Sequence, residues 1–212
     1  MFNKEKYGKI LTPMVTPFKE DQSVDYEAAV SIAKKLVEDN MADTIVIGGT
    51  TGEFFTMNFE ERIKLFQVVK KAVGNKIPLI PGVGATSTKE TIELAKKAEE
   101  LGFDAVMVVS PYYTKPTQSQ LYIHFKKVAE SVNINIMVYN IPIFTGVNVN
   151  PETLAKLAEI ENMMKTAKLV ISATVSIFPI NMNNTTNIEV AIIAKWGVFV
   201  NLFTTDKKFN FT

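Results

Sequence analysis

The side chains here that could carry a proton are mostly hydroxyls. Thr50 and Thr51 stand between Gly48-Gly49 and Gly52-Glu53, after the apolar run Thr44-Ile45-Val46-Ile47. Two hydroxyls set among glycines at the carboxyl end of a strand suit a small anion. Glycines let backbone N–H groups approach closely, and the threonines add donors. The same residues would also make a tight strand-to-helix turn with no ligand, and locally both readings stand. Ser110-Pro111-Tyr112-Tyr113 and Tyr139-Asn140-Ile141-Pro142 each close another apolar run. Two tyrosines and a threonine hydroxyl can relay a proton without a histidine. Taken singly, the tyrosines also read as rim aromatics with a wet hydroxyl. His124 is the sole histidine, and its place inside a helical pattern marks a surface or half-buried structural residue. There is no phosphate-loop pattern and no carboxylate–histidine cluster for a metal.

These residues need elements to hold them. Strand-like runs begin near residues 10, 44, 78, 104 and 135, and helix-like periodicity fills the intervals. The spacing is a βα repeat of about 30 residues. Expected helices cover 25–38, 58–73, 88–101, 118–132 and about 150–160. Asn58 with Glu61 forms a capping-box pattern, Gly74 suits a C′ position, and Asn150-Pro151 reads as an N-cap with Pro at N1. The strands are continuous apolar runs, as a parallel sheet covered by helices on both faces requires. A doubly wound sheet and a barrel both fit. The special residues all fall just past strand ends, which in a barrel gather at one mouth, so the expected class is α/β, a TIM (β/α)8-type barrel that is incomplete, with about five to six βα units recognisable. Past Asn162 the composition shifts. Glu189 and Asp206 are the acidic residues there, and Gly197 is the glycine. The expected organisation is 1–162 as the N-terminal part of a barrel and 163–212 as an aberrant segment.

Bulk properties exclude several classes. A length of 212 residues with 47% hydrophobic residues suits one globular domain. A formal net charge of +1 gives no electrostatic case for nucleic acid. Residues 1–9 lack the apolar core of a signal peptide, and no apolar run reaches membrane-spanning length. Cysteine is absent, which is compatible with a reducing compartment, and a cytoplasmic location is expected.

Ordered motifs give a more specific reading. Leu11-Thr12-Pro13 with Thr16-Pro17-Phe18, Gly48 through Glu53, Pro81-Gly82-Val83-Gly84, Ser110 through Pro116 and Tyr139 through Pro142 follow one another at family spacings. Up to Asn162 the chain resembles the dihydrodipicolinate synthase and N-acetylneuraminate lyase family of pyruvate-dependent class I aldolases. The resemblance implies an eight-stranded barrel, assembly into dimers or tetramers, no cofactor, and pyruvate or another 2-oxo acid as substrate. It implies that a lysine forms a Schiff base, that Thr50 and Tyr139 relay its proton, and that Thr51, with Gly49 and Gly52, holds the carboxylate. Tyr113 resembles the tyrosine that reaches into the neighbouring subunit's site. Two departures stand out. Phe144 occupies the place of the synthases' arginine, and a phenyl ring cannot grip a carboxylate bidentately. The ungapped register puts Ala167 where the Schiff-base lysine belongs, with Lys168 one residue late and Lys165 two early. A one-residue slip turns a side chain to the other face. Three expectations follow: a synthase-like aldolase; an aldolase for 2-keto-3-deoxy sugar acids or N-acetylneuraminate; or, from another class, a non-catalytic truncated barrel.

Overall fold

The computed structural model describes residues 4–164 and two short strands at 190–193 and 199–202. A helical turn, α1 (Lys4–Tyr7), leads into β1 (Leu11–Pro13). The chain then alternates: α2 (Tyr26–Glu38), β2 (Thr44–Ile47), α3 (Phe59–Val73), β3 (Leu79–Pro81), α4 (Thr88–Glu100), β4 (Ala105–Val109), α5 (Gln118–Ala129) and β5 (Asn135–Tyr139). Two short helices follow, α6 (Pro142–Thr145) and α7 (Pro151–Leu157). Strands β6 (Val190–Ile193) and β7 (Phe199–Leu202) pair antiparallel.

The first five strands lie side by side in sequence order and all run parallel. β1 pairs with β2 and β2 with β3. A parallel bridge from Gly82 to Met107 carries the order on to β4, which pairs with β5 along its whole length. Another parallel bridge, Ile136 to Met163, starts a sixth position, fixed by Met164 N–H donating to the Ile136 carbonyl at 2.9 Å. This is the incomplete β/α barrel that the repeat called for. Every residue of β2 and β4 is buried, because one face fills the barrel interior and the other meets helices.

Local chemistry explains where the helices start. Asn58 Oδ1 accepts from Glu61 N–H at 2.9 Å, and Glu61 Oε2 accepts from Asn58 N–H at 2.8 Å. Thr117 and Gln120 form a second capping box at α5, and Ser87 caps α4. Each such cap is worth about 1 kcal/mol. The helices turn their apolar stripes inward: Leu65, Phe66, Leu94, Leu121 and Phe125 have no exposed surface. Truncating a buried Phe such as Phe66 to Ala costs about 3–5 kcal/mol. Asn162 fastens the sixth position to α5, its amide donating to the carbonyls of Ala129 and Val132, each at 2.8 Å.

Some boundaries differ from the sequence expectation. α5 stops at Ala129 and α7 at Leu157, both short of where the apolar periodicity ends. Gly74 closes α3 in a right-handed conformation, φ −66°, rather than as a left-handed C′ residue. Of the segment 163–212, only Met163, Met164 and the hairpin strands are described, so the reading of the remainder lies outside the described residues. Among the described residues, no helix is long and apolar enough to cross a membrane.

Candidate active site

The carboxyl ends of β2, β3, β4 and β5 meet at one mouth. β2 delivers the threonine loop. Gly48 turns there with φ +62°, and a left-handed backbone of this kind favours glycine. Gly52 N–H donates to the Gly49 carbonyl at 3.0 Å, and Glu53 N–H donates to Thr50 at 3.1 Å. The loop is therefore a closed turn, and Gly52's own N–H is taken up inside it. From the β1 side, the Thr16 hydroxyl donates to the Gly52 carbonyl at 2.7 Å in a buried setting. A Cβ on Gly52 would lie 2.9 Å from the Met14 carbonyl oxygen, so only glycine fits against that strand end.

β5 delivers Tyr139, whose side chain is 3% exposed. Its phenol shares the lining of one gap with Thr50, near enough for the threonine to act on its titration. Burial pushes the phenol's pKa up, and the Thr50 contact opposes that shift. The tyrosine is therefore neutral at ordinary pH, with a proton to give and a threonine oxygen to exchange it with. Around the pair is a gap of about 10 Å³ lined by Gly49, Gly82, Gly84 and Met107 among others. It is about the size of one water. A larger cleft of about 390 Å³ opens beside it and shares Thr50, Phe54 and Val109 with it.

Arg62 carries a role that the sequence pattern did not single out. It sits inside α3, buried, and its Nη2 donates to the carbonyls of Gly82 at 2.6 Å and Gly84 at 3.0 Å. Its guanidinium lies 5.1 Å from the centre of the Phe54 ring. Burial lowers its pKa to about 10, and it is still a cation at neutral pH. The residue thus ties the ends of β3 to the threonine loop's flank. Nothing local marks it, because its partners lie 20 and 22 residues along the chain.

The structure joins Thr50 and Tyr139 and separates Tyr113 from them within the chain. Tyr113 is 98% exposed and adopts φ +75°, unusual for a side chain of this size. Its neighbour Tyr112 faces the cleft instead. Thr51 is half-buried beside Thr50. Lys165 and Lys168 lie outside the described residues. Glu53 is exposed, in a left-handed conformation, with no side-chain capping bond. His124 is 3% exposed, not at the surface; the apolar stripe of α5 carries it in against Thr88.

Comparison with known proteins agrees with this geometry. The model of the dihydrodipicolinate synthetase family matches residues 6–186. The chain is 46% identical over 157 residues to 4-hydroxy-tetrahydrodipicolinate synthase 1 of Halalkalibacterium halodurans, covering 74% of this chain and 53% of that protein. A dihydrodipicolinate synthase from Acinetobacter baumannii, solved in complex with pyruvate, superposes with a TM-score of 0.72 at 38% identity, covering 78% of this chain and 55% of that one. N-acetylneuraminate lyase from Mycoplasma synoviae superposes equally well, TM-score 0.72, at 30% identity, over 82% of this chain and 58% of that one. The chain spans about half the length of the curated relatives it matches.

Proposed function

The chain belongs to the dihydrodipicolinate synthetase family, and from that premise we propose that it is a pyruvate-dependent class I aldolase resembling 4-hydroxy-tetrahydrodipicolinate synthase. The observation that carries the reading is that Thr50 and the buried Tyr139 line one small gap at the barrel mouth. In this proposal a lysine amine attacks the pyruvate carbonyl, and loss of water gives an imine. Tyr139 gives the proton that lets hydroxide leave as water, and Thr50 passes the proton shed by the nitrogen back to the phenolate. Thr51, with the loop backbone at Gly49, holds the carboxylate. Gly52 contributes by shaping the loop, its N–H being committed to Gly49.

The proposed enzyme works as a homo-oligomer, dimer or tetramer, in the cytoplasm. What supports assembly is Tyr113: a tyrosine held outward in a left-handed conformation is a group presented to something beyond its own chain. No specific observation favours the non-catalytic reading.

Trapping tests the proposal. The chain is incubated with pyruvate and borohydride, its intact mass is measured, and the modified peptide is sequenced. A reduced pyruvyl adduct on Lys165 or Lys168 is expected. A folded sample that gains no mass refutes the Schiff-base reading.

A further inference from the structure

The cleft beside the Thr50–Tyr139 pair is lined on nearly every side by carbon. Phe54, Phe55, Tyr112, Ile141 and Phe144 form its walls, with Val109 below. Its volume of about 390 Å³ lies in the usual range for small-molecule sites, roughly 300–1,000 Å³. Among the described residues, no charged side chain lines it. Arg62, the nearby cation, is engaged with the Gly82 and Gly84 carbonyls and covered by the Phe54 ring. The Thr145 hydroxyl also faces inward, but it is bonded to the Ile141 and Val147 carbonyls at 3.2 and 3.0 Å. Tyr112 is the wall residue with a phenol to offer, its ring packed edge-on against Phe54 at 5.8 Å.

A carboxylate brought here would lose water and gain no cation from the described lining, a cost that disfavours it in a carbon-lined site. A flat apolar group would instead stack among rings that otherwise face solvent: Phe55 is 59% exposed and Phe144 is 65% exposed. The geometry points to an uncharged aromatic or long-chain aldehyde as the carbonyl partner taken up in this cleft. The inference rests on the pyruvate-aldolase reading above for its chemistry, and on the cleft alone for its binding. In the synthetic direction, a proton moves from the pyruvate methyl to the imine nitrogen, giving an enamine. That carbon attacks the aldehyde carbon and forms the C–C bond. The C=O pair moves to oxygen, which takes a proton from the Tyr112 phenol in the cleft wall, and the iminium N–H proton restores that phenol. Hydrolysis of the imine returns the lysine amine and releases a 4-hydroxy-2-oxo acid. The cleavage direction is the reverse.

Two probes with the same ring separate the outcomes. Para-fluorobenzyl alcohol mimics an uncharged aldehyde, and para-fluorophenylacetate adds a carboxylate. Each is titrated into the whole chain and followed by fluorine NMR. The alcohol is expected to bind about tenfold or more tighter than the acetate. Phe144→Arg should reverse that order, while Ile143→Arg, on an exposed residue outside the lining, should leave it unchanged. Equal binding of the two probes, or no binding of the alcohol, overturns the assignment. The probes need no lysine, so alcohol binding without a pyruvate adduct sinks the aldolase reading and spares the cleft. An adduct with no preference for the alcohol does the opposite. With both in place, para-fluorobenzaldehyde and pyruvate should give a new fluorine resonance from the aldol product.

Discussion

Acid should loosen the protein at one identifiable ring. His124 is buried between α4 and α5, with Nδ1 2.9 Å from the Thr88 hydroxyl and Nε2 without a hydrogen-bond partner among the described residues. A charged imidazole needs two acceptors, and this pocket supplies one. Burial accordingly lowers its pKa from 6.5 to about 4. Above the ordinary value the ring is neutral in both folded and unfolded chains, and full stability is present. As pH falls below it, the unfolded chain takes up a proton that the folded chain refuses. Stability is lost through that window, and the loss levels off near the folded value. The gap corresponds to on the order of 3 kcal/mol. Because the chain has one histidine, its ring protons can be followed by NMR without ambiguity. Urea unfolding of wild type and His124→Gln, repeated from neutral pH down to about 4, isolates its share from that of the carboxylates. The wild type should lose on the order of 3 kcal/mol more than the variant across the range. A folded-state titration near the ordinary value, or two stability curves that run parallel, would refute this reasoning.

Three further outcomes are expected. Thr50→Val removes the hydroxyl that opposes the upward shift of Tyr139, so the phenol should titrate higher still and pyruvate adduct formation should slow by about 10²–10⁴-fold; a variant trapping at the wild-type rate would take Thr50 out of the relay. Arg62→Leu strips the donor from the Gly82 and Gly84 carbonyls, at about 1–3 kcal/mol for each group left unpaired, and an unmoved urea midpoint would mean that water replaces the guanidinium. Gly82→Ala drives a Cβ into the Gly48 carbonyl oxygen and should cost about 1–3 kcal/mol, measured by thermal unfolding.

What could be read from the sequence was what neighbours in sequence decide. Asn58 and Glu61 mark the start of α3 three residues apart, and both of their hydrogen bonds form. The strands are legible because barrel strands are apolar on both faces. Gly74 shows where local rules mislead. A Cβ there would lie 2.6 Å from the Lys70 carbonyl, so closeness rather than handedness calls for the glycine. Asn150 precedes a Pro at N1 as expected, yet its side chain makes no cap. Gln118 Oε1, from α5, instead accepts from Asn150 N–H at 2.9 Å and from the Thr153 hydroxyl at 2.8 Å. In the site, the threonine loop and Tyr139 announce themselves by glycine spacing and by position at strand ends. Arg62 and His124 do not, since each looks like an ordinary helix residue until distant partners close over it.

The loop that carries Phe144 is fastened at its base. Asn140 donates to Asn148 Oδ1 at 2.6 Å and accepts from Val149 N–H at 3.1 Å, while Gly146 N–H returns to the Pro142 carbonyl at 2.8 Å. The clasp makes residues 140–149 a buckled ring whose crown, the exposed side chains of Ile143 and Phe144, is held by backbone bonds alone, Phe144 N–H donating to the Ile141 carbonyl at 3.0 Å. Drift at the crown can therefore retune which molecules are admitted while the buckle and the hydroxyl pair beneath it stay as they are.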